Sequence, residues 1–269
     1  MVDVIKADGT KEPYQRKKVL DSITRAGIPK SLQIEVLNKI EADLHEDITT
    51  QQIYKHIEDY LVQSGKPHLK GRYSLKRAIM QLGPTGYPFE AYIAYVLEAE
   101  GYKTRVGLGF DGKCVNHEVD IEALRNNQKI MVECKFHNRV GTKSDVQVAL
   151  YTKARFDDLS QKHGFTKPML VTNTKITNDA VDYSKCVGMD VMGWSYPSEG
   201  SLRDLVEKHN LFPITTLTSL TASQLQRLLV DNIVLAKQLC EDSEIINRLG
   251  LDSHKRDQAI KEAGLICNL

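Results

Sequence analysis

Two alternating segments, His117-Glu118-Val119-Asp120-Ile121-Glu122-Ala123-Leu124-Arg125 and Gln128-Lys129-Ile130-Met131-Val132-Glu133-Cys134-Lys135, flank the dipeptide Asn126-Asn127. Asparagine tolerates the positive φ values that a two-residue hairpin turn requires, so the pattern predicts a hairpin closed by these two residues. The register then follows. Arg125 faces Gln128, Ala123 faces Ile130, Ile121 faces Val132 and Asp120 faces Glu133. One side collects Val119, Ile121, Ala123, Ile130, Val132 and Cys134 as a core face. The other carries Glu118, Asp120, Glu133 and Lys135.

Directly opposed side chains have Cβ atoms roughly 4.5 to 5.5 Å apart, and two carboxylates at that separation repel unless a proton or a cation lies between them. Mg²⁺ or Mn²⁺ suits such an oxygen pair, and Lys135 on the same face can orient a water or stabilise charge on a phosphate. The pattern also allows a plainer reading, in which Glu118 and Lys135 form a cross-strand ion pair on a solvated face. Residue pattern alone leaves both open.

Outward from the hairpin, the chain reads as an α/β layer arrangement. A helix begins near Pro88, a strand lies near residues 102–106, and a helix spans about 145–159. Two buried strands, 168–172 and 189–193, are separated by a helix over 179–187. Upstream, two short strands (2–6 and 11–15) around the turn pair Asp8-Gly9 precede four helices, the fourth over 68–82. Gly83-Pro84-Thr85-Gly86 is the clearest punctuation. Residues 197–269 give an amphipathic helical signal that can serve a dimer interface, DNA binding or a cap on the sheet.

The 269 residues include 36 Lys+Arg and 35 Asp+Glu, and no stretch has the length and apolarity of a membrane span. The N-terminus lacks the apolar core of a signal peptide. Five cysteines without a C-x-x-C pair suggest neither a disulfide framework nor a zinc knuckle, so a cytoplasmic setting is expected. Basic and acidic residues number 14 and 11 over residues 1–89, 10 and 11 over 90–160, and 12 and 13 over 161–269. Nucleic-acid contact must therefore use local patches.

Gly107-Leu108-Gly109-Phe110-Asp111-Gly112 fits G-x-G-x-x-G, and with Lys113-Cys114 it nearly fits a phosphate loop. Both motifs need a helix to follow, whereas an alternating strand follows here, so the glycines are expected to form a flexible connection. His117 is a candidate to approach a metal or a phosphate, whereas its period-two phase beside Val119 and Ile121 points to a packed histidine. Tyr151 and Arg155 share a helical face that either contacts a DNA backbone or is simply solvated. Trp194 is expected in the core.

Gly86-Tyr87-Pro88-Phe89-Glu90, His117-Glu118-Val119-Asp120-Ile121, Val132-Glu133-Cys134-Lys135 and Val146-Gln147, in that order, resemble the PD-(D/E)xK nuclease superfamily, particularly its Mrr-like restriction endonuclease domain. Val119 stands where many members have proline. The resemblance implies Asp120 and Glu133 as metal ligands and Lys135 as the residue that positions or activates water. It implies Glu90 as an auxiliary acid and Gln147 as a support.

Val4-Ile5-Lys6-Ala7-Asp8-Gly9, Glu12, Tyr14-Gln15 and Lys18-Val19, with Arg72-Tyr73 and Lys76-Arg77 further on, resemble an ATP-cone domain, a nucleotide-sensing module. Ala7 stands where that family usually has arginine. The resemblance implies Lys6, Glu12, Gln15 and Lys18 near an ATP or dATP ligand, with Tyr54, Lys76 and Arg77 as further candidates. Lys6 and Lys18 would supply charge for a triphosphate, and Glu12 and Gln15 would read hydroxyl or base edges.

The expected architecture is thus α/β and multidomain: an ATP cone of helices with a small β-sheet (1–83), a restriction-endonuclease-like α/β domain (86–196) and a helical C-terminal region (197–269). The expected activity is Mg²⁺- or Mn²⁺-dependent DNA endonuclease cleavage regulated by ATP or dATP, in a homo-oligomer without membrane contact. Two other readings compete with it. One is a non-catalytic, nucleotide-responsive DNA-binding protein that keeps the nuclease fold. The other is a regulatory subunit whose cone controls a separate enzyme.

Overall fold

The computed structural model describes residues 2–6 and 8–267, so Ala7 lies outside the described residues. The chain forms two compact units. Residues 1–78, 216–224 and 236–269 make the first, and residues 79–215 and 225–235 make the second.

In the first unit, β1 (Asp3–Ile5) pairs antiparallel with β2 (Lys11–Pro13) across the Asp8-Gly9 turn. Helices α1 (Arg16–Arg25) and α2 (Lys30–Ala42) follow, and β3 (Ile48–Thr49) then adds to β1 in parallel. The side chain of Thr49 accepts the Gln52 N–H, and Gln52 returns a bond to the Thr49 backbone, a reciprocal box that starts α3 (Thr50–Gln63). Val4, Ile23, Val36, Leu37, Ile40, Ile53, Ile57 and Leu61 form the core. The helix expected over 68–82 is two pieces, α4 (Pro67–Tyr73) and α5 (Leu75–Met80). Buried Glu58 explains the break, because it draws the Ser74 hydroxyl (2.6 Å) and Arg77 Nη1 (3.0 Å) to its two oxygens.

In the second unit, α6 (Tyr87–Ala99) leads into β4 (Lys103–Asp111), β5 (Asn116–Arg125) and β6 (Gln128–Lys135). After β7 (Lys143–Ser144) come α7 (Val146–His163), β8 (Lys167–Thr172), β9 (Lys175–Ile176), α8 (Asn178–Cys186) and β10 (Asp190–Met192). The main sheet runs β10-β8-β6-β5-β4. β4, β5 and β6 form an antiparallel meander, while β8 and β10 join β6 in parallel through α7 and α8, as parallel pairing requires a crossover. α6 packs on β4, β5 and β6, and α7 on β4, β6 and β8.

Gly107 to Asp111 belongs to β4, and Leu108 to Asp111 pair with β5, so the expected flexible connection is strand instead. Gly112 has a structural reason to be glycine. A Cβ there would meet Asp158 Oδ2 at 2.0 Å and the Val115 carbonyl at 2.4 Å.

The last seventy residues, expected as one helical region, are helical but divide between the units. In the second, α9 (Leu202–His209) sits behind a Ser201 cap, Tyr92 donates to the Leu211 carbonyl (2.8 Å), and the Ile214 N–H meets the Val234 carbonyl (2.8 Å). From Leu225 on, α10 (Ala222–Val230) also belongs to it, and its Gln226 donates to the Gly83 carbonyl. In the first, α11 (Gln238–Glu241) precedes α12 (Ser253–Cys267), whose buried Glu262 accepts the Thr218 and Ser219 N–H groups at 2.9 Å. Amphipathic periodicity marks these helices without saying which core each one joins. No helix among the described residues is long and apolar enough to cross a membrane, and all five cysteines are free thiols.

Candidate active site

Asn126 and Asn127 both hold left-handed φ values, 49° and 63°, and the β5–β6 ladder runs Arg125↔Gln128, Ala123↔Ile130, Ile121↔Val132 as the turn dictates. In such a hairpin the hydrogen-bonded pairs recur at every second position, so Val119 and Cys134 would be next. They do not pair. The Cys134 N–H instead donates to Asp120 Oδ2 at 2.7 Å, the ladder stops, and β6 continues alone beside β8 with Glu133↔Leu170 and Lys135↔Thr172. The strands fork at the carboxylates.

The phase of β5 also reverses beside the fork. Val119, expected beside Ile121, is buried with Met131, Leu159 and Phe165 on the α7 side. The β4–β5 ladder skips the pair Gly107/Asp120, where Gly107 has φ +65°, so the change of face coincides with a left-handed residue in β4. His117 follows Val119 in phase, so its Nε2 reaches Asp158 Oδ2 on α7 at 2.8 Å instead of a metal or phosphate. Asp158 also accepts the Cys114 and Val115 N–H groups.

Around the fork stand Glu90 from α6, Asp120 and Glu118 from β5, and Glu133 and Lys135 from β6. Burial pushes the Glu90 carboxyl up to about 7, and the charges of Asp120 and Glu118 add to the effect. Burial likewise raises Glu133, with Asp120 pushing the same way and Arg155 and Lys135 opposing. Asp120 is raised by burial too, against the Cys134 N–H and the Arg155 charge. These are crowded, partly desolvated acids. Lys135 is exposed.

Arg155 departs from the expected DNA-facing or solvated position. Its side chain is only 11% exposed, Nη1 donates to Glu133 Oε2, and the guanidinium lies 4.5 Å above the Tyr151 ring centroid. Gln147 begins α7 with its N–H held by Asp145 (3.1 Å), and its side chain is exposed. The α7 side chain bonded to the Glu133 carboxylate is thus Arg155, two turns further along. Trp194 is buried, as expected. A cleft of about 930 Å³ opens beside Glu90, bordered by Tyr87, Tyr95, Val106, Leu229 and Val230.

Among the described residues, no group of three or more His, Cys, Asp and Glu side chains is arranged to hold a metal ion by itself. Mg²⁺ does not demand one, since it commonly takes one or two carboxylates and completes its shell with water and phosphate oxygens. The Asp120 and Glu133 oxygens fit such a cation. Arg155 already stands at this acidic pair as a cation.

In the first unit, Glu12 gathers two of the expected nucleotide residues, with Lys6 Nζ at 2.6 Å and Lys18 Nζ at 2.9 Å. Gln15 opens α1 and its carbonyl accepts the Lys18 N–H at 2.9 Å. Tyr54 packs tilted against Tyr73, ring centroids 5.2 Å apart, Lys76 lies in α5, and Arg77 pairs with Glu58.

Family profiles match this architecture in order: the ATP cone domain over residues 2–81, a restriction endonuclease domain over 83–191, and the AF1548-like C-terminal region over 212–267. An uncharacterized protein of Archaeoglobus fulgidus is 37% identical over 177 residues, which cover 64% of this chain and 97% of that relative. The chain belongs to the AF1548-like family. The crystal structure of AF1548, a protein of unknown function, is similar with a TM-score of 0.61 at 34% identity, covering 69% of this chain and all of that one. Over 73 residues, 24% of this chain and 43% of the relative, it is also 37% identical to the transcriptional repressor NrdR of Microcystis aeruginosa. This AF1548-like protein therefore carries an ATP cone followed by a restriction-endonuclease domain.

Proposed function

We propose that the protein is a divalent-cation-dependent DNA endonuclease whose cutting is controlled by ATP or dATP at the cone. The observation that supports this reading is the fork, beside which the charges of Asp120 and Lys135 both act on Glu133. A bound Mg²⁺ or Mn²⁺ would polarise the scissile phosphate and acidify a water. The chain's own residues do the rest. The Cys134 N–H fixes Asp120, and Lys135 places an exposed ammonium where it can orient the attacking water and neutralise charge on the phosphate. Glu90, whose carboxyl burial pushes up to about 7, can hold a proton beside the cleft. Gln147, at the open end of α7, supports the substrate side.

At the cone, half-buried Lys6 and exposed Lys18 share Glu12, so a triphosphate can recruit both without either having to leave a fully buried site. Glu12 and Gln15 would read hydroxyl or base edges. Tyr54, Lys76 and Arg77 are further contacts. We assign the cone to residues 1–83 and the nuclease domain to 86–196, and we expect a homo-oligomer in the cytoplasm.

The likeness to NrdR, by name a transcriptional repressor, favours a second reading, a nucleotide-responsive DNA-binding protein that keeps the nuclease fold without cutting. Incubation with plasmid and linear DNA, with Mg²⁺ and with ATP or dATP varied, separates the two. Cleavage products support the first reading, and nucleotide-dependent retention of intact DNA supports the second.

A further inference from the structure

Arg155 is an unusual resident of an acidic site. It is nearly buried, one amino group is bonded to Glu133 Oε2, and its aromatic neighbour Tyr151 comes from the same helix, one turn earlier. Its Nε is buried and has no hydrogen-bond partner. A guanidinium offers five N–H donors, and leaving one unpaired away from water costs free energy. A residue kept only to neutralise Glu133 would have no need of so enclosed and so incompletely bonded a position. The oxygen it holds belongs to Glu133, which feels the charge of Asp120 at the fork.

We propose that Arg155 is a built-in counter-cation that competes with the divalent cation for Glu133, and so sets how tightly the site takes metal. The inference rests on reading Asp120 and Glu133 as cation ligands. When the cation takes Glu133, the guanidinium is released with its donors unfilled. It remains stacked on Tyr151, poised for an anion such as a substrate phosphate. Metal and guanidinium are then exclusive ligands of one carboxylate oxygen, so removing one strengthens the other.

The test is Mn²⁺ binding to the full chain, followed by electron paramagnetic resonance of the free ion and needing no turnover. Arg155→Gln should bind Mn²⁺ about fivefold tighter or better, the low end of typical couplings between sites. Glu133→Gln should lose binding. Unchanged or weaker binding by Arg155→Gln, with binding still lost in Glu133→Gln, overturns this inference and leaves the metal site standing. No binding by any of the proteins overturns both. Removing one partner of a buried ion pair can unfold a protein. A second measurement therefore uses the wild type, in which the Arg155 Nε–H resonance, assigned by its absence in Arg155→Lys, should shift along the same isotherm as Mg²⁺ binding. A resonance that ignores saturating Mg²⁺ overturns the proposal.

Discussion

The carboxylate of Asp120 accepts the amide N–H of Cys134 at 2.7 Å, a proton that the hairpin register would otherwise give to the Val119 carbonyl. One side chain thus ends a ladder and starts a site. Asp120→Asn preserves an oxygen acceptor and should fold while losing cleavage. Asp120→Ala leaves a buried N–H unpaired and should also lose about 1–3 kcal/mol of stability. Urea unfolding of both variants checks the difference; equal stability would mean that the bond does not hold the fork.

Glu90 predicts a pH dependence. An acid whose folded pKa lies above its unfolded value binds more protons when folded, so its contribution is most favourable below 4.5 and becomes a cost as pH rises toward about 7. In metal-free protein, Glu90→Gln should therefore raise the melting temperature at pH 8 and have little effect at pH 4. Thermal melts across that range test it. A variant less stable than wild type at pH 8 would contradict the crowding of acids at the fork.

Asp158 predicts the opposite slope. Hydrogen bonds from His117 and from the Cys114 and Val115 amides outweigh desolvation, the largest opposing effect, and hold its carboxyl well below 3.8. A depressed acid stabilises above its unfolded pKa and loses that contribution as pH falls through the folded value. Asp158→Asn should be the less stable protein at pH 7, with the gap closing under acid. Gly112→Ala, which forces a Cβ onto Asp158, should damage the same turn at every pH. Denaturation series at several pH values distinguish the two patterns.

Much of this was legible in the residues. Asn126-Asn127 set the hairpin, and its register aligned Asp120 with Glu133, a pair at which the ladder stops. Period two could not show where the ladder would stop, because the stop depends on an aspartate side chain outcompeting a backbone carbonyl. Nor could it show the change of face at Gly107, which coincides with a left-handed φ. Arg155 was visible as a cation on the same helical face as Tyr151, but a helical repeat gives the face and not its partner across the fold. The split of residues 197–269 between two units is likewise decided by tertiary packing.

Control by the cone is a matter of coupling. A hundredfold change in cutting needs about 2.7 kcal/mol of differential nucleotide affinity between two states. ATP and dATP should bind residues 1–83, shift the oligomeric state and change the cleavage rate. Lys6→Ala or Lys18→Ala should weaken nucleotide binding at least about tenfold, a loss of about 1.4 kcal/mol, and should leave basal cutting intact. Titration calorimetry with light scattering measures both, and no binding at millimolar nucleotide would leave the cone without a sensing role.

Cleavage by the fork is tested most directly by incubating plasmid DNA with wild-type protein and with Asp120→Asn, Glu133→Gln and Lys135→Ala, each with Mg²⁺, with Mn²⁺ and in EDTA. The wild type should nick or linearise the plasmid with either metal and fall silent in chelator, and all three folded variants should leave it supercoiled. Full cutting in EDTA, or by any one of the three variants, would contradict the assignment.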